Sequence, residues 1–211
     1  MLQTQTVDVS TLELLISLQQ KSYLDNFHLV GGTALALYYG HRKSIDIDLF
    51  TNQSFDTIRL LEQLQNDYPI QLYHTASGTI KGHINKVNVD FIAHRYPYLD
   101  EPFLSDGITL LSEKDIIAMK LNAICVSGQR SKDFIDIFFA LEKHSVAGMV
   151  SYYQRKYNQQ SDMHIVKSLV FFDDVDLTDW PVLINTPELD WSQVKSKLKK
   201  AVLDYSKNRL A

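Results

Sequence analysis

An α+β fold is what the hydropathy of this 211-residue chain predicts, with strands and helices interleaved in the first half and a largely helical remainder. Three observations carry that expectation. Residues 27–50 read as strand, Gly-Gly-Thr turn, helix and strand in succession. Three period-two runs follow between residues 70 and 93. After Pro97 and Pro102 the composition shifts, and apolar residues recur mostly at helical spacing.

The chain has the apolar content of a globular protein, 45% hydrophobic, with material for one or two cores. A net charge of −4 argues against nucleic-acid binding over a broad surface, which depends on neutralising many phosphates, and leaves room for a local basic patch. The single cysteine, Cys125, rules out an intrachain disulfide; in an apolar helical run it reads as a small buried hydrophobe rather than a nucleophile. No stretch approaches the length needed to span a bilayer. Asp8 and Glu13, with no basic cluster before them, do not resemble a secretory leader, so the expected compartment is the cytoplasm.

In chain order, Ser10-Thr-Leu-Glu13 reads as a capping box for a helix over about 10–25, with Leu14, Leu15, Leu18 and Leu24 as its apolar stripe. Phe27 to Val30 is a short strand delivering Gly31-Gly32-Thr33, and Ala34 to Tyr39 form a buried helix ending at Gly40. His41-Arg42-Lys43-Ser44 is a basic connection, either solvated or in touch with a phosphate through Arg42 or Lys43. In the strand Ile45 to Phe50, apolar Ile45, Ile47 and Leu49 alternate with Asp46, Asp48 and Phe50. Both carboxylates therefore share a face, about 7 Å apart.

Residues 54–66 form a helix with Ile58, Leu61 and Leu64 in register, ended by Tyr68-Pro69. Strands at 70–75, 79–84 and 86–93 follow, with turns at Ser77-Gly78 and near Asn85. If the third lies beside the Asp46/Asp48 strand, Asp90 joins their face and completes a three-carboxylate site; otherwise Asp90 is a surface residue between apolar neighbours. Residues 108–111 read as a last strand.

Ser112 to Asp115 is a second capping box, opening a helix through Val126 in which Lys120 either snorkels from a packed face or points into a cleft at phosphate. A helix over 132–144 places Lys132, Asp133 and Asp136 on one polar side, as a simple ion pair or as a network lining a cleft. Helices are expected at 150–157 and 162–172. The acidic run Asp173, Asp174, Asp176 and Asp179 reads as a solvated loop rather than a cation site. Asp190 to Gln193 caps a last helix with Val194, Leu198, Ala201, Val202 and Tyr205 on one side and mostly solvated lysines over the rest.

The chemistry concentrates at residues 29–50. Two adjacent carboxylates repel unless a cation compensates, and Mg²⁺ is commonly held by one or two carboxylates together with substrate phosphates. Gly31 and Gly32 let backbone approach a ligand closely, the following helix N-terminus offers free N–H groups to an anion, and Thr33 adds a hydroxyl. These parts describe a metal–nucleoside triphosphate site. The bland reading, a tight turn beside a solvated edge strand, suits either half alone and suits their conjunction less well. With Asp90, the carboxylates match a two-metal mechanism in which one ion holds the triphosphate and the other activates an acceptor hydroxyl.

Gly31-Gly-Thr33, Arg42-Lys-Ser-Ile-Asp-Ile-Asp-Leu-Phe50, Val87-Asn-Val-Asp-Phe91, Lys120, Arg130-Ser-Lys-Asp-Phe-Ile-Asp136 and Val170-Phe-Phe-Asp-Asp174 resemble, in order and through nearly the whole chain, the AbiEii/AbiGii-type nucleotidyl transferase toxin family. The Gly-Gly…Asp-x-Asp pattern is shared with the wider polymerase-beta-like superfamily; Lys132 to Asp136 is the more family-specific mark. The resemblance implies a polymerase-beta-like nucleotidyltransferase lobe with a mixed sheet over residues 1–108, a helical lobe over 109–211, and a nucleotide between them. It implies Asp46, Asp48 and Asp90 as carboxylates for two Mg²⁺ ions and Lys120 as a further catalytic group. Gly31, Gly32, Thr33, Arg42, Ser44, Lys132, Asp133 and Asp136 become the nucleotide contacts.

The expected activity is transfer of an NMP from an NTP to a hydroxyl of RNA (tRNA-like) or protein, in a bacterial toxin–antitoxin or phage-defence system with a cognate antitoxin and no membrane partner. The rivals are a catalytically silent nucleotide-binding module acting through protein contacts and, less favoured, a metal-dependent phosphohydrolase.

Overall fold

The computed structural model describes residues 1–210, with Leu210 described in its backbone only. The chain divides into two compact units, Met1–Ser112 and Glu113–Ala211.

The first unit is a seven-stranded mixed sheet with helices against it. Its elements are α1 (Val9–Gln19), β1 (His28–Val30), α2 (Gly31–Tyr39), β2 (Ile47–Thr51), α3 (Thr57–Asp67), β3 (Gln71–Ala76), β4 (Thr79–Ile84), β5 (Val87–Ala93), β6 (Phe103–Ser105) and β7 (Ile108–Leu110). The strand order is β3-β4-β5-β2-β1-β7-β6, parallel at β2/β5 and β1/β7 and antiparallel elsewhere. Ile47 and Leu49 of β2, Ile80 and Ile84 of β4, and Val89 and Phe91 of β5 are fully buried, and the alternate residues of these strands are only partly covered. One face thus makes the core, and Asp48, Lys81 and Asp90 lie on the other.

Several local expectations shift. Ser10 sits inside α1, whose chain enters extended at Asp8, so it caps nothing; Leu24 is buried from a separate 3₁₀ turn, Ser22–Leu24, instead of a longer helix. Asp56 starts α3 by accepting from the N–H groups of Ile58 (3.0 Å) and Arg59 (3.1 Å). That choice of start buries Leu64, in keeping with the expected stripe, together with Leu60, and leaves Ile58 exposed against it. The strand β2 begins at Ile47, and Ile45 is exposed. Asn85-Lys86 and Asp106-Gly107 both have positive φ at two successive residues, the geometry of tight two-residue hairpins. The second joins β7 to β6, a strand the hydropathy did not announce.

The second unit is helical: α4 (Glu113–Val126), α5 (Ser131–Ala140), α6 (Val146–Tyr157), α7 (Met163–Ser168) and α8 (Trp191–Leu210). Ser145 caps α6 by accepting from Gly148 N–H (3.2 Å), which moves its start ahead of the expected Val150. The run expected as a helix over 162–172 is helical only from Met163 to Ser168, with Ile165 and Leu169 buried. Asp190 and Gln193 form a reciprocal capping box at α8, each side chain taking the other's N–H at 2.9 Å. Val194, Leu198 and Val202 are buried beneath it.

Two buried ion pairs pin α4. Lys156 of α6 meets Asp115 at 2.7 Å with both side chains wholly buried. Lys120 meets Asp133 at 2.7 Å and Asp136 at 2.9 Å, both on α5. Removing one member of such a pair leaves an uncompensated charge in a dry interior. Lys156→Met should therefore cost about 3–5 kcal/mol in chemical denaturation, and adding Asp115→Leu should recover most of it. A single-variant loss below about 1 kcal/mol would contradict a dry, mutually dependent pair.

Candidate active site

The geometry begins with a missing side chain. Gly31 has φ +72°, a left-handed backbone, and an ideal Cβ built on it would fall 2.0 Å from Oδ2 of Asp48. Any other residue at 31 would both strain the turn and expel that carboxylate. The β1/β2 register, Val30 opposite Asp48, brings the two together at the point where α2 begins. A Cβ at Gly32 would fall 2.2 Å from Nη2 of Arg42, so the buried guanidinium packs under the same turn. The connection that read as either solvated or in touch with a phosphate is largely an inward one: His41, Arg42 and Ser44 are buried, and Lys43 is exposed.

Thr33 is buried. Its hydroxyl donates to the backbone carbonyl of Asp46 and shares a 2.8 Å hydrogen bond with Ser44 Oγ, tying the first turn of α2 to the segment that carries the acidic pair. Asp46, one residue before β2, accepts from the amide of Asn88 at 2.8 Å. The β2/β5 pairing sets Asp48 directly opposite Asp90, so the condition under which Asp90 reaches the Asp46/Asp48 face is met. On its far side Asp90 is opposite Lys81 and ion-paired to it, and it accepts from the Tyr73 hydroxyl at 3.2 Å. Burial, then the charge and hydrogen bond of Asp90, then the charges of Asp46 and Asp48 raise the Tyr73 phenol above its usual value, keeping it a donor.

Asn88, Lys81 and Tyr73 were not singled out from sequence. The signal for two of them is the turn: with Asn85-Lys86 as a two-residue reversal, counting outward from Ile84 and Val87 places His83 opposite Asn88 and Lys81 opposite Asp90. Tyr73 had no such signal, because it sits at a register shift between Leu72 and His74, where one extra residue re-aims the side chain.

Among the described residues no group of three or more His, Cys, Asp or Glu side chains is arranged to hold a metal by itself. Asp46 and Asp48 beside a helix N-terminus suit a hard cation that completes its shell with phosphate oxygens and water, the usual habit of Mg²⁺.

In the helical unit Lys120 is buried between Asp133 and Asp136, and Lys132 meets Asp179 at 2.6 Å. Asp174, Asp176 and Asp179 line a cavity of about 450 Å³ with Arg130, Ser131 and Lys132. Cys125 is half-buried, and burial pushes its thiol up, away from the thiolate a nucleophile needs.

Residues 13–68, which contain the Gly-Gly turn and the acidic pair, match the family described as nucleotidyl transferase AbiEii toxin, type IV toxin–antitoxin system. Over 190 residues the chain is 32% identical to the uncharacterized protein aq_aa25 of Aquifex aeolicus, covering 87% of this chain and 90% of that one. Its fold is similar to that of MenT4, a nucleotidyltransferase toxin of Mycobacterium tuberculosis, with TM-score 0.62 and 14% identity over 92% of this chain and 80% of that one. It is also similar to JHP933 of Helicobacter pylori, with TM-score 0.55 and 19% identity over 97% and 99% of the two chains. At these identities the solved structures speak for the nucleotidyltransferase fold alone. With the motif-bearing segment matched and a relative aligned along most of its length, the chain belongs to the AbiEii nucleotidyl transferase toxin family.

Proposed function

We propose that this protein is a Mg²⁺-dependent nucleotidyltransferase that moves an NMP from an NTP to a hydroxyl of RNA or protein, as the toxin of a toxin–antitoxin or phage-defence system in the cytoplasm. The observation that carries the reading is the Asp48 carboxylate lying in the space a side chain at residue 31 would fill, at the N-terminus of α2 and opposite Asp90.

When bound between Asp46 and Asp48, the cation would neutralise phosphate charge as the bond from Pα to the leaving pyrophosphate breaks. The chain's own work is to position and to stabilise charge. The first N–H groups of α2 would present donors to the triphosphate, and the buried Arg42 guanidinium beneath Gly32 would add positive charge under the same turn. Thr33 and Ser44 hold Asp46 in place. The acceptor oxygen forms its new bond to Pα in line with the departing pyrophosphate, and its proton leaves to solvent.

The proposal extends to Lys120, Lys132, Asp133 and Asp136 of the helical unit as nucleotide contacts. Their test is separate because Lys120 also holds α4 to α5.

The reading is tested by incubating the full chain with each α-phosphate-radiolabelled NTP, Mg²⁺, total bacterial RNA and soluble protein. Label should enter a macromolecular band with the wild type and not with Asp46→Ala/Asp48→Ala. Retention of nucleotide with no transfer would favour the rival reading, a binding module acting through protein contacts. Asp48→Asn should melt near the wild-type temperature and transfer nothing; retained transfer would remove Asp48 from the site. Gly31→Ala should displace the Asp48 carboxylate and lower kcat/KM about 100-fold, and a folded variant of normal activity would contradict the close approach. Lys120→Ala should weaken NTP binding measured on the folded fraction; unchanged affinity with a lowered melting temperature would assign that network to architecture alone.

A further inference from the structure

A two-cation reaction asks the third carboxylate to give its charge to the second cation, and both oxygens of Asp90 already take a donor, one of them an ammonium. Its Oδ2 is ion-paired with Lys81 and its Oδ1 accepts from Tyr73, while its side chain is 15% exposed. The pairing with Lys81 comes from the backbone rather than from a chance rotamer. In the sheet, Lys81 is opposite Asp90, Asp90 opposite Asp48, and Asp48 opposite Val30, all on one rung. Neighbouring strands lie about 4.8 Å apart, so Lys81 is held within reach of Asp90 as long as the hairpin keeps its register. Tyr73 reaches Asp90 from the same side as Lys81, one strand further out, because the register shift in β3 turns it onto this face, against His83 at 5.1 Å between ring centroids. Asp46, by contrast, takes a neutral donor, the amide of Asn88.

A second divalent cation on Asp90 would sit beside an ammonium already bound to the same carboxylate, a like-charge contact of high cost in a partly dry site.

We infer that this site takes one divalent cation, held by Asp46 and Asp48, and that Lys81 acting through Asp90 supplies the positive charge that a second cation would supply. The inference rests on the proposed metal–nucleotide reading and refines it. Lys81 is here a positioning residue, since it acts on the site through Asp90.

The test is the number of Mn²⁺ ions bound per chain, measured by electron paramagnetic resonance titration of the full chain with a non-hydrolysable α,β-methylene NTP analogue. The wild type should bind one ion. Lys81→Met, which frees Asp90, should bind two, and Lys81→Arg, which restores the charge, should return to one. Asp90→Asn should still bind one, which protects the test if Lys81→Met fails to fold. Two ions on the wild type, one ion on a folded Lys81→Met, or none on Asp90→Asn would each overturn the inference. No ion on the wild type would instead overturn the metal–nucleotide reading beneath it.

Discussion

The first unit is built around one close approach, the carboxylate of Asp48 against the bare Cα of Gly31. It places a negative charge at the N-terminus of α2, where the helix dipole favours it. On the proposed reading, the same N–H groups are wanted by the triphosphate, and an anion cannot share that space with Asp48 and Asp46 unless something positive lies between them. A divalent cation resolves the conflict, and the buried guanidinium of Arg42 on the other side of the turn adds to the same balance. The glycine turn, the acidic strand and the helix start are therefore three parts of one electrostatic arrangement.

The chain sorts its remaining charges by location. In the helical unit, Lys156–Asp115 is a wholly buried pair that ties α6 to α4, and Lys120 on α4 is held by Asp133 and Asp136 of α5. In the sheet unit, Lys81 and Asp90 are paired at the margin of a polar face, where pairing shapes what the neighbouring carboxylates can bind. Both are lysine–carboxylate pairs. The difference in consequence comes from what surrounds them, apolar helix contacts in one case and two further carboxylates in the other.

Period and turn chemistry made much of this legible. The alternation of Ile47, Leu49, Val89 and Phe91 predicted which face of β2 and β5 is buried, and so which face carries Asp48 and Asp90. The strand β6 was missed although Asp106-Gly107 is a hairpin signal, because Phe103 and Leu104 give too short a run to show a period. Helix starts at Asp8, Asp56 and Ser145 were misplaced by one to four residues, since cap choice depends on which start buries the better face. Lys156 and Asp115 were invisible as partners because 41 residues separate them and Asp115 read only as the end of a capping box. Tyr73 was hidden by a register shift, which period-two counting cannot see.

The account's central claim is that Asp46 and Asp48 share one cation with the phosphates of an NTP at the start of α2. Crystals of the full chain grown with Mn²⁺ and a non-hydrolysable NTP would test it by anomalous scattering. The predicted result is a peak within about 2.0–2.3 Å of a carboxylate oxygen from each of Asp46 and Asp48 and of a phosphate oxygen, with the triphosphate against the N–H groups of Gly32 and Thr33. A nucleotide bound elsewhere, or a peak that touches neither aspartate, would contradict it.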